Sequence, residues 1–253
     1  MSQRSLLKLG RDDFDVDPAR QQEAAARYEE GRGLIGGDPN RRPDHIRWRP
    51  IAEDQPWFRL IDLSAAKQAR LEAFLADTAT PLEIEIGFGG GEFLLGRAAA
   101  QTERRFLGFE VKRDLCATLA RQLQTAALGH VWISDDDARW ALPQLALAGR
   151  VAVIHILYPD PWWKRRHQVK RLFSPPFAQL LHGLLASNGL LHVRTDVEGY
   201  AALVAEVLAA HGGFTPNTPA WAEPFNADPP TQREAYCRQI ARPFWLMGFA
   251  RKA

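Results

Sequence analysis

"LEIEIGFGGGEFLL", Leu82 to Leu95, changes its period halfway along. Leu, Glu, Ile, Glu, Ile alternate with the period of two that belongs to a β-strand. Four glycines follow within five residues (Gly87, Gly89, Gly90 and Gly91), and "EFLLGRAAAQ" then runs on in helix formers. A strand that stops at a glycine-rich turn and resumes as a helix predicts the first part of a β-α-β unit.

The same alternation repeats downstream. "RFLGFEV" is a strand and "RDLCATLARQLQTAAL" a helix. "HVWIS" with "RWALPQLALAG", and "VAVIHILYP" with "SPPFAQLLHGLLASNG", form two further pairs, and "LLHVRTDV" leads into "EGYAALVAEVLAAHGG". In that last helix Tyr200, Leu203, Val204, Val207 and Leu208 share one apolar face. Strands as apolar as "VAVIHIL" are covered on both faces. The expected fold is α/β: a doubly wound, mostly parallel, Rossmann-like sheet, with "FWLMGFARK" adding an antiparallel strand at the C-terminus. Upstream, Ser64 is placed to cap a helix over "AAKQARLEAFL". Residues 1–60 are rich in Arg, Asp, Gly and Pro, and only "PARQQEAAARYEEG" looks helical there. They read as a partly ordered extension, and residues 61–253 as one α/β domain.

Composition narrows the class. Hydrophobic residues make up 46% and charged residues 25% of 253, as in an ordinary globular protein, and no apolar run is long enough for a membrane span. The start of the chain has no signal-peptide core. Cys116 and Cys237 have no close CxxC-type partner, so reduced thiols, a cytoplasmic location and no structural metal are expected. Net charge is only +2, but its distribution is uneven, because no Asp or Glu falls between Asp160 and Asp196.

In an open α/β sheet, ligands bind beyond the carboxyl ends of the strands, where Gly87 and Gly89 let a cofactor approach the backbone. Glu110 ends the next strand, about 20 residues on, at the place where an acid accepts hydrogen bonds from ribose hydroxyls. Asp135, Asp136 and Asp137 end the third strand, near an adenine edge. No Lys or Arg lies between Pro81 and Glu92, and no GK[ST] follows the glycines, so the crevice does not suit a phosphate cofactor. An acidic crevice suits an adenosine-bearing cation, S-adenosylmethionine, with Glu85 orienting its ammonium group.

"YPDPWWKRRHQVKRL", Tyr158 to Leu172, sets one acid between two prolines, then two tryptophans, then five Lys/Arg within eight residues. Taken with "EIGFGGGEFL", "FLGFEV", "DDA", "RTD" and a late "TQRE", the chain from about residue 80 to 251 resembles the tRNA (guanine-N7-)-methyltransferases, class I S-adenosylmethionine enzymes. The resemblance implies cofactor contacts at Glu85, Glu110, Asp137 and Asp160, and catalysis at Asp160. It implies that Lys164, Asp196, Thr231, Gln232, Arg233 and Glu234 hold the target nucleoside. Two departures stand out: Val169 replaces a basic residue, and Gln232-Arg233 sits where Lys and an aromatic residue are usual. On this reading Trp162 or Trp163 stacks on a base, while Lys164, Arg165, Arg166, Lys170 and Arg171 meet the RNA backbone.

Plainer readings compete residue by residue. Thr231 and Glu234 are also a capping box, Trp163 and Arg165 also suit a core and a solvated position, and His155 reads as a buried, hydrogen-bonded histidine. His167 carries no assigned chemistry. For the whole chain, a non-catalytic RNA-binding protein on this fold, or a methyltransferase for another RNA or a small molecule, stays open. Whether it is a monomer or a homodimer is undecided by sequence.

Overall fold

The computed structural model describes residues 51–163, 168, 170–216, 225 and 228–252. Within them the chain builds an eight-stranded sheet, in the order β1-β4-β3-β2-β5-β6-β8-β7. The strands are β1 (Trp57–Phe58), β2 (Leu82–Ile86), β3 (Arg105–Phe109), β4 (Val131–Ser134), β5 (Val151–Leu157), β6 (Leu185–Thr195), β7 (Phe214–Pro216) and β8 (Trp245–Arg251). Strands β1 to β6 pair in parallel, and β8 runs antiparallel between β6 and β7. The helices are α1 (Ala65–Ala76), α2 (Glu92–Ala100), α3 (Arg113–Thr125), α4 (Ala138–Ala141), α5 (Pro175–Leu184), α6 (Glu198–His211) and α7 (Gln232–Gln239). Strand order reverses between β2 and β5, which opens a crevice at their carboxyl ends. No described helix is long and apolar enough to cross a membrane.

The doubly wound parallel sheet and its antiparallel C-terminal strand are as the alternation predicts. Ser64 caps α1 through the Lys67 amide, and the apolar face of α6 is buried as a unit. Several boundaries differ for physical reasons. Pro143 stops α4 after one turn, and a 3-10 turn follows over Leu142–Gln144. Helix α5 ends at Leu184, because Leu185 already pairs with Val151 in the sheet. The turn at Asn188 and Gly189 then needs a left-handed residue, Asn188 at φ 61, and a glycine with no room for a Cβ against the Ala186 and Val151 carbonyls. The sheet also begins earlier than expected. Trp57 and Phe58 pair with β4, inside the stretch read as an extension. The helix expected near residues 18–31 lies outside the described residues.

The two faces of the central strands differ. Leu82, Ile84, Ile86, Ile154, Ile156, Leu191 and Val193 join one large apolar core with α1, α5 and α6. The other face carries Glu83, Glu85, His155, His192 and Arg194, all buried. Register puts Glu85 opposite His155, and His155 opposite His192. The alternation in "LEIEI" is therefore not apolar-in and polar-out; both faces are inside.

Candidate active site

The glycine turn is stitched to the end of β3. The Gly87 and Phe88 amides donate to the Phe109 carbonyl at 2.7 and 3.2 Å. Gly87, Gly89 and Gly91 take φ of 81°, 56° and 85°, which L side chains resist. A Cβ on Gly87 or Gly89 would meet nothing within 4 Å, so this part of the turn faces open space. Glu110 is fixed beside it: its two oxygens accept from the Gly89 amide at 3.1 Å and the Lys112 amide at 3.0 Å.

Glu85 stands just before the turn, 1% exposed, and neither of its carboxylate oxygens has a hydrogen-bond partner. Burial, with Glu92 and Glu110 nearby, pushes its pKa up to about 8. A buried, partnerless acid beside an open glycine cradle and a fixed carboxylate is what a cationic ligand with a ribose diol requires. These residues fit S-adenosylmethionine.

The three aspartates after β4 divide their work. Asp135 is held by Trp57 Nε1 at 3.1 Å, Arg59 at 2.7 Å and Arg113 at 3.1 Å. Asp136 accepts from the Leu60 amide at 2.9 Å and from Ser134 Oγ at 2.9 Å. Asp135 and Asp136 therefore tie β1 to the sheet edge rather than turning toward an adenine. Asp137, half-buried, caps α4 through the Arg139 amide and pairs with the Arg139 guanidinium at 2.7 Å.

Of the residues expected to hold the target nucleoside, Asp196 follows β6, and Thr231, Gln232, Arg233 and Glu234 begin α7. Thr231 caps α7, its hydroxyl accepting from the Glu234 amide at 3.1 Å, so half of the capping box is present. The Glu234 side chain does not reach back; it is 1% exposed and pairs with Arg194 on the inside and Arg238, at 2.5 Å, on the outside. Asp196 repeats the arrangement, with buried Arg242 at 3.0 Å and the more exposed Arg233 at 2.6 Å. Gln232 donates to Glu92 at 2.6 Å, joining α7 to the first turn of α2. Tyr158 lies among them, and burial with Glu234 close by pushes its phenol well above the ordinary range.

Asp160 is exposed in the loop after β5. Trp163 packs against the large core, and Trp162 carries Lys170 Nζ 4.9 Å from its ring centroid. Lys164, Arg165, Arg166 and His167 lie outside the described residues. Arg171 corrects an expectation. It is 6% exposed and its Nε donates to the Pro161 and Trp162 carbonyls, so its side chain is turned into the loop and away from any phosphate.

Behind the site His155 is buried and hydrogen-bonded, as expected, but the network it belongs to was missed. His155 Nε2 bonds Glu83 at 3.0 Å, His155 Nδ1 meets His192 Nδ1 at 2.9 Å, and His192 Nε2 meets Arg194 Nε at 3.0 Å. These partners fix the tautomers. Glu83 only accepts and Arg194 only donates, so each ring is neutral and holds one proton: His155 on Nε2, His192 on Nδ1. Burial pushes both imidazoles below their ordinary pKa, His192 the further. Burial opposes the charge on Glu83, but hydrogen bonds from Arg97 and His155 outweigh it and hold its pKa at about 2. The signal was the polar stripe in "IHI" and "HVRT", at matching phase in adjacent apolar strands.

Comparison with known proteins agrees with this architecture. Residues 79–247 match a family described as putative methyltransferase. A tRNA (guanine-N(7)-)-methyltransferase of Anaeromyxobacter dehalogenans (strain 2CP-C) is 41% identical over 198 residues, covering 78% of this chain and 96% of its own. Another, of Thiobacillus denitrificans (strain ATCC 25259 / T1), is 34% identical over 182 residues, covering 72% and 80%. Among solved structures, the 16S rRNA methyltransferase KamB superposes with a TM-score of 0.50 at 12% identity, over 76% of this chain and 95% of that one. The aminoglycoside resistance methyltransferase NpmB1 does so with a TM-score of 0.50 at 15% identity, over 75% and 94%. The solved structures share the fold; the family match over residues 79–247 runs through the glycine turn, the Pro-Asp-Pro-Trp loop and α7, the sequence relatives carry the closer kinship, and the chain belongs to the tRNA (guanine-N(7)-)-methyltransferase family.

Proposed function

We propose that the protein transfers the methyl group of S-adenosylmethionine to N7 of a guanine in tRNA, working in the cytoplasm. The carrying observation is the partnerless, buried Glu85 beside the open glycine turn, at strand ends that also present Asp160 and Asp196, with Glu234 of α7 paired to Arg194 of β6. When bound, the cofactor supplies an electrophilic methyl on a positively charged sulfur. Glu85 receives its ammonium group, Glu110 its ribose hydroxyls, and Gly87 and Gly89 leave room for it. Asp137 stands at the adenine end.

Guanine N7 is an unprotonated lone pair, so the chain needs no strong base to expose it. The task is placement, in line with the methyl group. Asp160 faces the purine as positive charge develops on its imidazole ring. Asp196, Thr231, Gln232, Arg233, Glu234 and Lys164 hold the nucleoside. Arg165, Arg166 and Lys170 meet phosphates, and Trp162 offers a stacking face to a base lifted from the folded RNA.

Asp160→Asn tests the chemistry. Single-turnover methylation of tRNA should fall by about 100-fold or more, with tRNA affinity retained. The loss should persist at every pH, because no proton leaves N7. Near-wild-type rates would remove Asp160 from the reaction, and recovery at high pH would mean that it moves a proton.

A further inference from the structure

The Pro-Asp-Pro-Trp loop has a feature that a set of RNA contacts does not explain. Tyr158 and Trp162, on either side of Asp160, take φ of 54° and 39°, a region that bulky residues avoid. Pro159 and Pro161 have no N–H, so the loop has few backbone donors with which to hold that shape. Arg171 supplies one from the far end of the basic run. Its Nε lies 3.2 Å from the Pro161 carbonyl and 3.3 Å from the Trp162 carbonyl, one N–H shared between two acceptors. The backbone that carries Arg171 is anchored: its amide donates to Gln168 at 2.9 Å, and two residues on, Phe173 is 1% exposed and packs edge-on against Phe177 and Tyr200. Arg171 and Asp160 are both close enough for their charges to bear on the buried Tyr200 hydroxyl.

We propose that Arg171 is a positioning residue: it clamps the two carbonyls that follow Asp160 and so fixes where that carboxylate stands against the purine. This rests on the reading of Asp160 as the catalytic acid. A cation fixed to the core holds the loop in a backbone shape it would otherwise leave. The basic run is then not uniform. Lys170 lies over the Trp162 ring at the loop surface, while its neighbour Arg171 turns inward.

The test compares Arg171→Ala, Arg171→Lys and Lys170→Ala in the full chain. Three quantities are read: S-adenosylhomocysteine affinity by calorimetry, tRNA affinity at several salt concentrations, and the single-turnover rate at saturating tRNA. Arg171→Ala should lower the saturating rate at least tenfold while leaving cofactor affinity and the slope of log affinity against log salt as in wild type. Arg171→Lys should recover part of the rate, since an ammonium reaches one carbonyl but not both. Lys170→Ala should flatten the salt slope by about one phosphate's worth. A flattened slope in Arg171→Ala with an intact saturating rate would overturn the proposal and make Arg171 a phosphate contact. If the alanine variant does not fold, the lysine variant decides alone: a wild-type saturating rate overturns the proposal, and a reduced rate with an unchanged slope supports it. An active Asp160→Asn enzyme would instead bring down the underlying reading, whatever Arg171 does.

Discussion

Glu85 sits in a medium that keeps its carboxyl neutral until something cationic arrives. Its described neighbours do not supply the cation: Glu92 and Glu110 repel, and Arg194, which bears on it, is already bonded to His192, Glu234 and the Phe225 carbonyl. With a pKa of about 8, the empty site holds a proton at pH 7. An ammonium group binding there favours the carboxylate, so the proton must leave. Calorimetry of S-adenosylhomocysteine binding at pH 6.5, in buffers of different ionisation enthalpy, should register about one proton released, and affinity should weaken by up to tenfold per pH unit below 8. Glu85→Gln should abolish the release. Buffer-independent heats in the wild type would mean that Glu85 is already ionised in the empty site. The sequence identified Glu85 as a candidate, since it closes a strand before a glycine turn. It did not show that the side chain would be unpaired, because pairing depends on β5 and β6, far along the chain.

At the scale of elements, the join between β2 and α2 uses each glycine differently. A Cβ on Gly87 meets open space, whereas a Cβ on Gly91 would stand 2.7 Å from both methyl carbons of Leu119 on α3. Gly91→Ala should therefore cost about 2–4 kcal/mol, strain in a left-handed backbone plus overpacking. Gly87→Ala should cost about 1–2 kcal/mol of backbone strain alone, with its larger effect on cofactor affinity. Urea denaturation separates them, and equal stability losses would contradict the packing at α2 and α3. The run of four glycines was legible as a turn, but their separate duties were not, because Leu119 sits on a helix two elements away. The same limit explains the other misplaced boundaries. Periodicity located every long strand of the sheet, since each is apolar for several residues. It missed β1, two residues long and held by Arg59 and Asp135, and β7, three residues paired with β8. Arg171 was misread because a basic run looks solvated in one dimension; only the closed loop shows one member turned inward.

Across the whole molecule, the central strands set one apolar face and one polar face inside the fold, and its stability should carry that signature in pH. Burial depresses the imidazoles of His155 and His192, so they stay neutral in the fold while the unfolded chain takes up protons below pH 6.5. Stability should therefore fall as pH drops through that value, by up to about 1.4 kcal/mol per pH unit for each ring. Glu85 acts oppositely. Its raised pKa means the unfolded chain loses a proton that the fold keeps, so stability falls as pH rises from 4.5 toward about 8. The cofactor-free protein should be most stable near pH 6.5, and Glu85→Gln should flatten the decline on the basic side. Chemical denaturation at pH 5.5, 6.5 and 7.5 would show it; stability unchanged or higher at pH 5.5 would mean the imidazole pair is already charged in the fold. The chain from Arg194 through His192 and His155 to Glu83, with every proton pointing the same way, also bears on descent. Each member's donor or acceptor is dictated by the next, so replacing one leaves a buried proton facing a proton, or a lone pair facing a lone pair. Mutation reaches such a set one residue at a time, and nearly every single step passes through a less stable ancestor. These four residues should be inherited as a block, and a relative that has lost one of the histidines should have lost its companions too.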